Sequence, residues 1–356
     1  MSEAKNYDLI IVGAGPGGIS LAAEAKAAGI SRDKILVIDK AEAHSWIIRS
    51  IYPDKKLVAS NYKGIKAVCH GILCLPDVTK DEAISYLDWV INDTGIQVNY
   101  NEVVLKIETL GTARAPLFNV HTDKAVYHSR LVVIAIGVFG KPNKPDYKLP
   151  TSLRKRIHFD INSFDADNEQ ILIVGGGDSA SEFSQFLVER GNRITLSYRR
   201  SSFKRMNAIN RQTALGMHDN GQLEILWESN IHQVSVSDAG KPLVHFMEKQ
   251  YGIRSFDRIV YALGGSTPKN FLQSMGIQFT GKQPDIDAHG ESRTPGLFVG
   301  GDLHAGLRGG SIANAFNTSR GIIERICGTY MDCVPSVRPY EHRLIARRKG
   351  KQLPEQ

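Results

Sequence analysis

Cysteine is scarce in this chain, with four residues among 356, at positions 69, 74, 327 and 333. Four scattered thiols do not make the dense framework of a small secreted domain, and they point to a reducing cytoplasm. Long apolar runs are missing too: no stretch approaches the ~18 consecutive apolar residues that span a bilayer as a helix. The opening residues MSEAKNYDLIIVGAG enter a strand at once, without the zones of a secretory signal. Charge of one sign is only modestly in excess, 44 Lys and Arg against 37 Asp and Glu, for a formal +7. That excess suits an anionic cofactor or an acidic protein partner. No nucleic-acid motif accompanies it, and no metal site is expected.

Glycine, by contrast, is plentiful, with 33 residues, and two groups of them carry chemistry. In YDLIIVGAGPGGISLAAEAKAAGISRDKILVIDK, the apolar run Leu9 to Val12 suits a buried parallel strand. Gly13, Gly15 and Gly18 follow as G-x-G-x-x-G, and an alanine-rich helix continues from them. The first glycine permits a tight turn, the second admits a pyrophosphate to the backbone, and the third lets the helix pack on the strand. The helix end adds amides and a positive dipole for the phosphates. KILVIDK predicts the next strand, and Asp39 stands 21 residues after Gly18, where a carboxylate takes ribose hydroxyls. Lys40 and Trp46 follow closely enough to extend this site, Trp46 over the adenine or the flavin ring.

The pattern recurs in EQILIVGGGDSASEFSQFLVERGNRITLSYRR. Gly175, Gly177 and Ala180 form the G-x-G-x-x-A variant, between a strand at 171–174 and a helix predicted from Asp178 to Glu189, with Asp178 and Ser179 at its start. The strand RITLSY ends in Arg199 and Arg200 instead of an acid. A carboxylate there would repel a 2′-phosphate, whereas a guanidinium pairs with it through bidentate hydrogen bonds. Lys204 and Arg205 extend the cluster. Two such loops in one chain imply two cofactors, FAD on the first and NADPH on the second.

The stretches RLVVIAIGVFGKPNKPDYKLP and FDRIVYALGGSTP each run from a strand into glycine and proline, at Gly137 and Gly264. They bracket an inserted segment. The expected organisation is α/β, with two Rossmann-type domains, the NADPH domain inserted into the FAD domain. Residues 1–140 form the first part of the FAD domain, 141–266 the NADPH domain and 267–332 the rest of the FAD domain. Residues 333–356 form a basic tail, in which 338–352 carries six Lys or Arg and one Glu. That tail reads as a solvated end, as a dock for an acidic carrier, or as a carrier of Tyr340 to a partner subunit's flavin. In TPGLFVGGDLHAGLRGGSIANAF, a strand at 297–299 leads into Gly301 and Asp302, and a helix is predicted from Ser311 onward through Ile312 and Ala313. Asp302 is placed to hydrogen-bond a ribityl hydroxyl, and the helix dipole favours charge on the flavin pyrimidine. A plain helix cap is the alternative for Asp302.

Taken together, GAGPGGI, IVGGGDSASE, YRRSSFKRMN, YALGGSTP and FVGGDLHAG resemble the two-dinucleotide-binding-domain flavoproteins of the thioredoxin-reductase-like group. The resemblance covers about residues 6–328 and is nearest to the flavodoxin–quinone reductases. It implies an NADPH oxidoreductase that passes electrons through FAD to a flavodoxin, a ferredoxin-type carrier or a quinone, as a homodimer. The sequence departs from thioredoxin reductase at the segment KRIHFDINSFDADNEQ, which lacks that family's C-x-x-C. Gly17 stands where bacillithiol-disulfide reductases place a cysteine. Ser152 and Arg154 break the flavin-monooxygenase motif around His158.

CHGILC, residues 69–74, has the C-x4-C spacing of larger disulfide reductases, but lies thirty residues beyond Asp39. Thr79 with Asp81 and Glu82 predicts a helix start downstream, leaving Cys74 in an irregular segment and away from a helix first turn that would stabilise a thiolate. The expectation is two small buried hydrophobes near the flavin edge. A thiol/disulfide reductase using Cys69 and Cys74 is the alternative, along with a flavin monooxygenase or a non-catalytic redox sensor. Hydride transfer between nicotinamide and flavin needs no side-chain nucleophile, so no catalytic acid or base is assigned. His158, His304, Trp46 and Tyr52 read first as structural residues.

Overall fold

The computed structural model describes residues 6–52, 57–58, 69–137, 142–161, 163–264, 268–281, 283–306 and 311–336. The chain divides into two compact units, one of residues 1–140 with 267–356, the other of residues 141–266. Among the described residues no helix is long and apolar enough to cross a membrane.

The helices are α1 (Pro16–Ala27), α2 (Trp46–Ile51), α3 (Lys80–Thr94), α4 (Asp178–Glu189), α5 (Ala208–Asp219), α6 (Lys269–Ser274), α7 (Asp302–Ala305) and α8 (Ile312–Thr329). The larger unit is built on a sheet in the order Gln97–Asn99, Ile35–Ile38, Asn6–Val12, Val126–Ile134, Phe118–Thr122, Val104–Thr109. The strand Val126–Ile134 divides one edge between two neighbours. Its first half pairs antiparallel with Phe118–Thr122, and its last three residues pair in parallel with Leu297–Val299. The late segment of the chain thereby completes a sheet begun by the early one.

Burial follows the two-residue period of a strand covered on both faces. Leu9, Ile11, Ile35, Val37, Leu131 and Val133 face the core made with α1, α3 and α8. Ile10, Val12, Leu36, Ile38, Val132 and Ile134 face the opposite core, which holds Phe118, Leu272 and Leu303. The second unit repeats the plan with five parallel strands, in the order Leu223–Trp227, Arg193–Tyr198, Gln170–Val174, Arg258–Tyr261, Ile157–His158. Ile171, Ile173 and Leu196 face α4 and α5, while Leu172, Ile259 and Tyr261 face the other way. Both units are Rossmann-type α/β folds.

The helices expected from Asp178 to Glu189 and from Ser311 onward form as read. Thr79 caps α3 in a reciprocal capping box with Glu82. The cysteine reading needs correction. Cys69 is exposed and Cys74 half-buried, and the two are joined as a disulfide with Cα atoms 5.5 Å apart. Cys327 and Cys333 form a second disulfide, Cα atoms 4.8 Å apart. The scattered thiols are therefore two bonded pairs, and cysteine usage gives no support to a reducing compartment. Each bond spans a short loop: sequence spacing alone does not reveal that both sulfurs turn toward each other. The first residues of the predicted tail fold back, Val334 N–H donating to Ala28 O at 3.1 Å and Arg320 donating to Ser336 O. Tyr340 and the basic cluster lie outside the described residues.

Candidate cofactor sites

The two glycine loops share one geometry. Gly13 N–H donates to Ile38 O at 2.8 Å, and Gly175 N–H to Ser197 O at 3.0 Å, each reaching the end of the next strand. A Cβ on Gly13 would sit 2.6 Å from Ala135 O, and one on Gly175 2.5 Å from Ala262 O. Both residues also have positive φ, +112° and +155°. The neighbouring strand thus excludes any side chain at the first position of each loop. Around the second glycines, Gly15 and Gly177, no atom lies within 4 Å of where a Cβ would be. The open side of each turn lies at the head of α1 or α4. On Gly18 a Cβ would run into Gly13 O, whereas the second loop carries Ala180, fully buried, at that position.

Helix capping separates these helices from the others. Among the described residues five helices have twelve residues or more. Side chains cap two of them, Thr79 on α3 and Asn207 on α5. The remaining three, α1 after Gly15, α4 after Gly177 and α8 after Ser311, have no side-chain cap. Uncapped first-turn amides are orphan donors with a positive dipole end, suited to an anion or an electron-rich ring. These are the helix starts that sequence motifs assign to cofactors, and the residues present fit them.

Asp39 stands at the end of strand Ile35–Ile38. Its Oδ2 accepts Ala14 N–H at 2.6 Å and its Oδ1 accepts Ala41 N–H at 2.8 Å. Each carboxylate oxygen keeps lone-pair capacity for a ribose hydroxyl. Lys40 is exposed, and Trp46 opens α2 at 47% exposure. Gly137, with φ +69°, follows the strand against which Gly13 turns. Gly301, with φ +66°, lies so near α1 that a Cβ on Gly17 would meet its Cα at 3.1 Å. Asp302 is the first residue of α7. Ser311, buried, is the N-cap of α8, with Ile312 and buried Ala313 in the first turn. Gly13, Gly15, Gly18, Asp39, Gly137, Gly301 and the start of α8 therefore gather at one end of the larger sheet.

Three supports of this site are invisible to motif reading. Ser319 of α8, fully buried, donates to Gly17 O at 3.1 Å and binds the two helices at their first turns. Ser45 adopts a left-handed conformation, φ +53°, and its N–H donates to Ala14 O at 2.8 Å. His44 supports Ser45: Nδ1 lies 3.1 Å from Ser45 Oγ, and Nε2 lies 2.7 Å from Asp88 Oδ1 of α3 and 2.6 Å from Arg49. Burial holds the His44 pKa below the ordinary imidazole value, against the pull of Asp88. Nearby Tyr100 is pushed up by burial and then by the charge of Asp39.

In the second unit Arg199, Arg200 and Arg205 are exposed on the segment after strand Arg193–Tyr198. Asp178, expected at a cofactor, has its Oδ1 engaged inside the protein, accepting from Asn207 N–H at 2.8 Å and Asn210 Nδ2 at 3.1 Å. The first turn of α4 thereby fixes the far end of the arginine segment. Ser179 is exposed beside it. A cleft of about 430 Å³ opens along the segment, lined by Ser201, Ser202, Phe203, Lys204, Arg211, Leu215 and Trp227. Arg211 was not legible as part of this region, because it arrives from α5. Gly264 has φ +78° and accepts Asn143 N–H at 2.8 Å. His158 belongs to this unit, stacked 4.0 Å from Phe164 with Nδ1 3.2 Å from Ser163 Oγ, a packing role. Burial holds His304, in the other unit, below the ordinary imidazole value.

The family model for pyridine nucleotide-disulphide oxidoreductases matches residues 10–301. A ferredoxin–NADP reductase of Beijerinckia indica is 30% identical over 208 residues, 57% of this chain; the chain spans little more than half, 56%, of that protein. One from Ignicoccus hospitalis is 24% identical over 309 residues, covering 83% of this chain and 90% of that protein. Among solved structures, the bacillithiol disulfide reductase of Staphylococcus aureus aligns with a TM-score of 0.74 at 19% identity, over 92% of this chain and all of that one. A thioredoxin reductase of T. acidophilum aligns at 0.71 and 18%, over 91% and 98%. With paired glycine loops, two Rossmann-type units and a family match across most of its length, the chain belongs to the pyridine nucleotide-disulphide oxidoreductase family.

Proposed function

We propose that the protein takes electrons from NADPH, passes them through FAD and delivers them to an acidic carrier of the ferredoxin or flavodoxin type, or to a quinone. It is an NADPH-dependent flavoprotein reductase with FAD and NADPH as cofactors. The observation that carries the reading is the distribution of caps: α1, α4 and α8, the helices behind the cofactor motifs, are the long helices without side-chain caps.

In this reading the amides of Gly15 to Gly18 receive the FAD pyrophosphate, and Asp39, with Lys40 and Trp46 beside it, holds the adenosine half. Gly137, Gly301 and Asp302 meet the ribityl chain, and Ser311, Ile312 and Ala313 present the α8 dipole to the pyrimidine. Gly175, Gly177, Ser179 and Ala180 open the NADPH loop, with Asp178 bracing it. Arg199, Arg200 and Arg205 take the 2′-phosphate, and Gly264 closes the turn beside them. Bound NADPH supplies a hydride, which bound FAD accepts. The chain contributes proximity, orientation and exclusion of water, and needs no proton relay of its own.

The relatives' names support a ferredoxin-type acceptor, and the formal +7 favours an acidic partner. Turnover with a ferredoxin, a flavodoxin and a quinone, each across a salt series, tests this. The protein-carrier rate is expected to fall with salt, because steering between opposite charges is screened over ~10 Å at 0.1 M. The quinone rate should hold steady. Equal salt response, or turnover with neither class, would overturn the acceptor assignment. Sedimentation would test the homodimer expected from the resemblance.

A further inference from the structure

The disulfide Cys69–Cys74 closes a ring whose position does not depend on the bond. Ile72 and Leu73, between the cysteines, are 1% and 0% exposed and plug into the core of α1, α3 and α8. Each of these helices also holds a backbone amide of the segment. Ile72 N–H donates to Glu24 Oε1 of α1 at 2.7 Å, His70 N–H to Asn317 Oδ1 of α8 at 3.0 Å, and Cys74 N–H to Tyr86 Oη of α3 at 3.4 Å. Glu24 is completely buried and is steadied by Arg320, 3.5 Å from its Oε2. Gly71 fits closely, since a Cβ there would run into Glu24 Oε1.

Two apolar plugs and three helix anchors thus bring the sulfurs together. The loop entropy removed by a disulfide grows with the ring, and a ring this short gains little from it. Cys327–Cys333 differs: both residues are half-buried, packed on the same core, and fasten the chain after α8. Cys69 alone of the four is exposed, so its sulfur is the one open to attack.

We propose that Cys69–Cys74 is a thiol–disulfide exchange site for a dithiol partner, with Cys69 the sulfur attacked. The partner's thiolate bonds to Cys69 Sγ, the Cys69–Cys74 bond breaks, and Cys74 leaves as a thiolate that takes a proton from solvent. The partner's second thiol, losing its proton, then attacks its own sulfur in the mixed disulfide, and Cys69 leaves as a thiol. Two electrons pass from the dithiol to the chain, and the partner departs as a disulfide. The step is independent of the flavin reading.

Its test is differential alkylation of the FAD-loaded full chain, incubated with dithiothreitol or with thioredoxin, quenched over time and read by mass spectrometry. Cys69 and Cys74 are expected to become alkylated at least about tenfold faster than Cys327 and Cys333, as exposure dictates, with circular dichroism unchanged. Faster reduction by thioredoxin at equal dithiol supports a protein source, and the reverse a small molecule. With glutathione disulfide, Cys74→Ser should form a mixed disulfide on Cys69 faster than Cys69→Ser forms one on Cys74. Equal rates for the two bonds, reduction only on unfolding, or faster adduct formation at Cys74 would overturn the proposal. Should either variant misfold, the wild-type rate ratio still decides.

Discussion

Ala14 donates its amide hydrogen to Asp39 at 2.6 Å, so the acid expected at a ribose also holds the glycine loop in shape. The other carboxylate oxygen takes Ala41 N–H at 2.8 Å. Asparagine at this position keeps a single acceptor oxygen and must abandon one amide. Hydrogen bonds to charged groups are worth ~1.5–3 kcal/mol, which corresponds to about ten- to a hundredfold in affinity. Asp39→Asn is therefore expected to weaken FAD binding by that factor, measured by flavin fluorescence on titrating apoprotein. An unchanged dissociation constant would show that the carboxylate serves neither loop nor ribose.

Gly15 and Gly18 separate cofactor contact from packing. Gly15 has φ −74°, a conformation alanine adopts, with open space where the methyl would go. Gly15→Ala should leave the apoprotein's thermal midpoint unchanged while FAD retention falls. Gly18→Ala drives a methyl into Gly13 O and should destabilise the apoprotein by ~1–3 kcal/mol, the usual cost of overpacking. Equal midpoints for the two apoproteins would contradict the geometry of the loop.

NADPH should outperform NADH, because Arg199 and Arg200 are exposed where an NAD-dependent site carries an acid. Arg199→Ala with Arg200→Ala is expected to raise the NADPH Michaelis constant about tenfold or more, through loss of charge-assisted pairing, and to leave NADH nearly unaffected. An equal loss with both cofactors would point to general damage.

Burial holds His44, His158 and His304 below the ordinary imidazole value. The unfolded chain binds protons at these sites below pH ~6.5, and the folded chain only at lower pH. The imidazole contribution is complete above that value and shrinks as pH falls toward the lowered pKa values. Glu24, raised by burial, acts in the opposite direction, so the comparison of variants is the test. His44→Gln should show a shallower decline of thermal midpoint between pH 7 and 5 than the parent, on the order of the usual effect of one titrating group. A steeper decline would mean that His44 is protonated in the fold.

Legibility in the sequence followed the range of the interactions. The glycine turns, the span of α4 and the caps at Thr79 and Ser311 are set by residues a few positions apart, and local chemistry reveals them. Ser319 at Gly17, Asp88 at His44 and Asn207 at Asp178 pair residues 29 or more positions apart, and no motif records them. The cysteines failed for another reason. A C-x4-C in an irregular segment reads equally as packing or as a bond, and the anchors that bring the sulfurs together come from three separate helices.

The central claim is that NADPH reduces a flavin held by this chain. Anaerobic stopped-flow mixing of the FAD-loaded protein with NADPH, followed at the flavin's visible absorbance, tests it most directly. The account predicts bleaching that saturates with NADPH and is slower with NADH. A chain that holds FAD yet shows no bleaching with NADPH would contradict it.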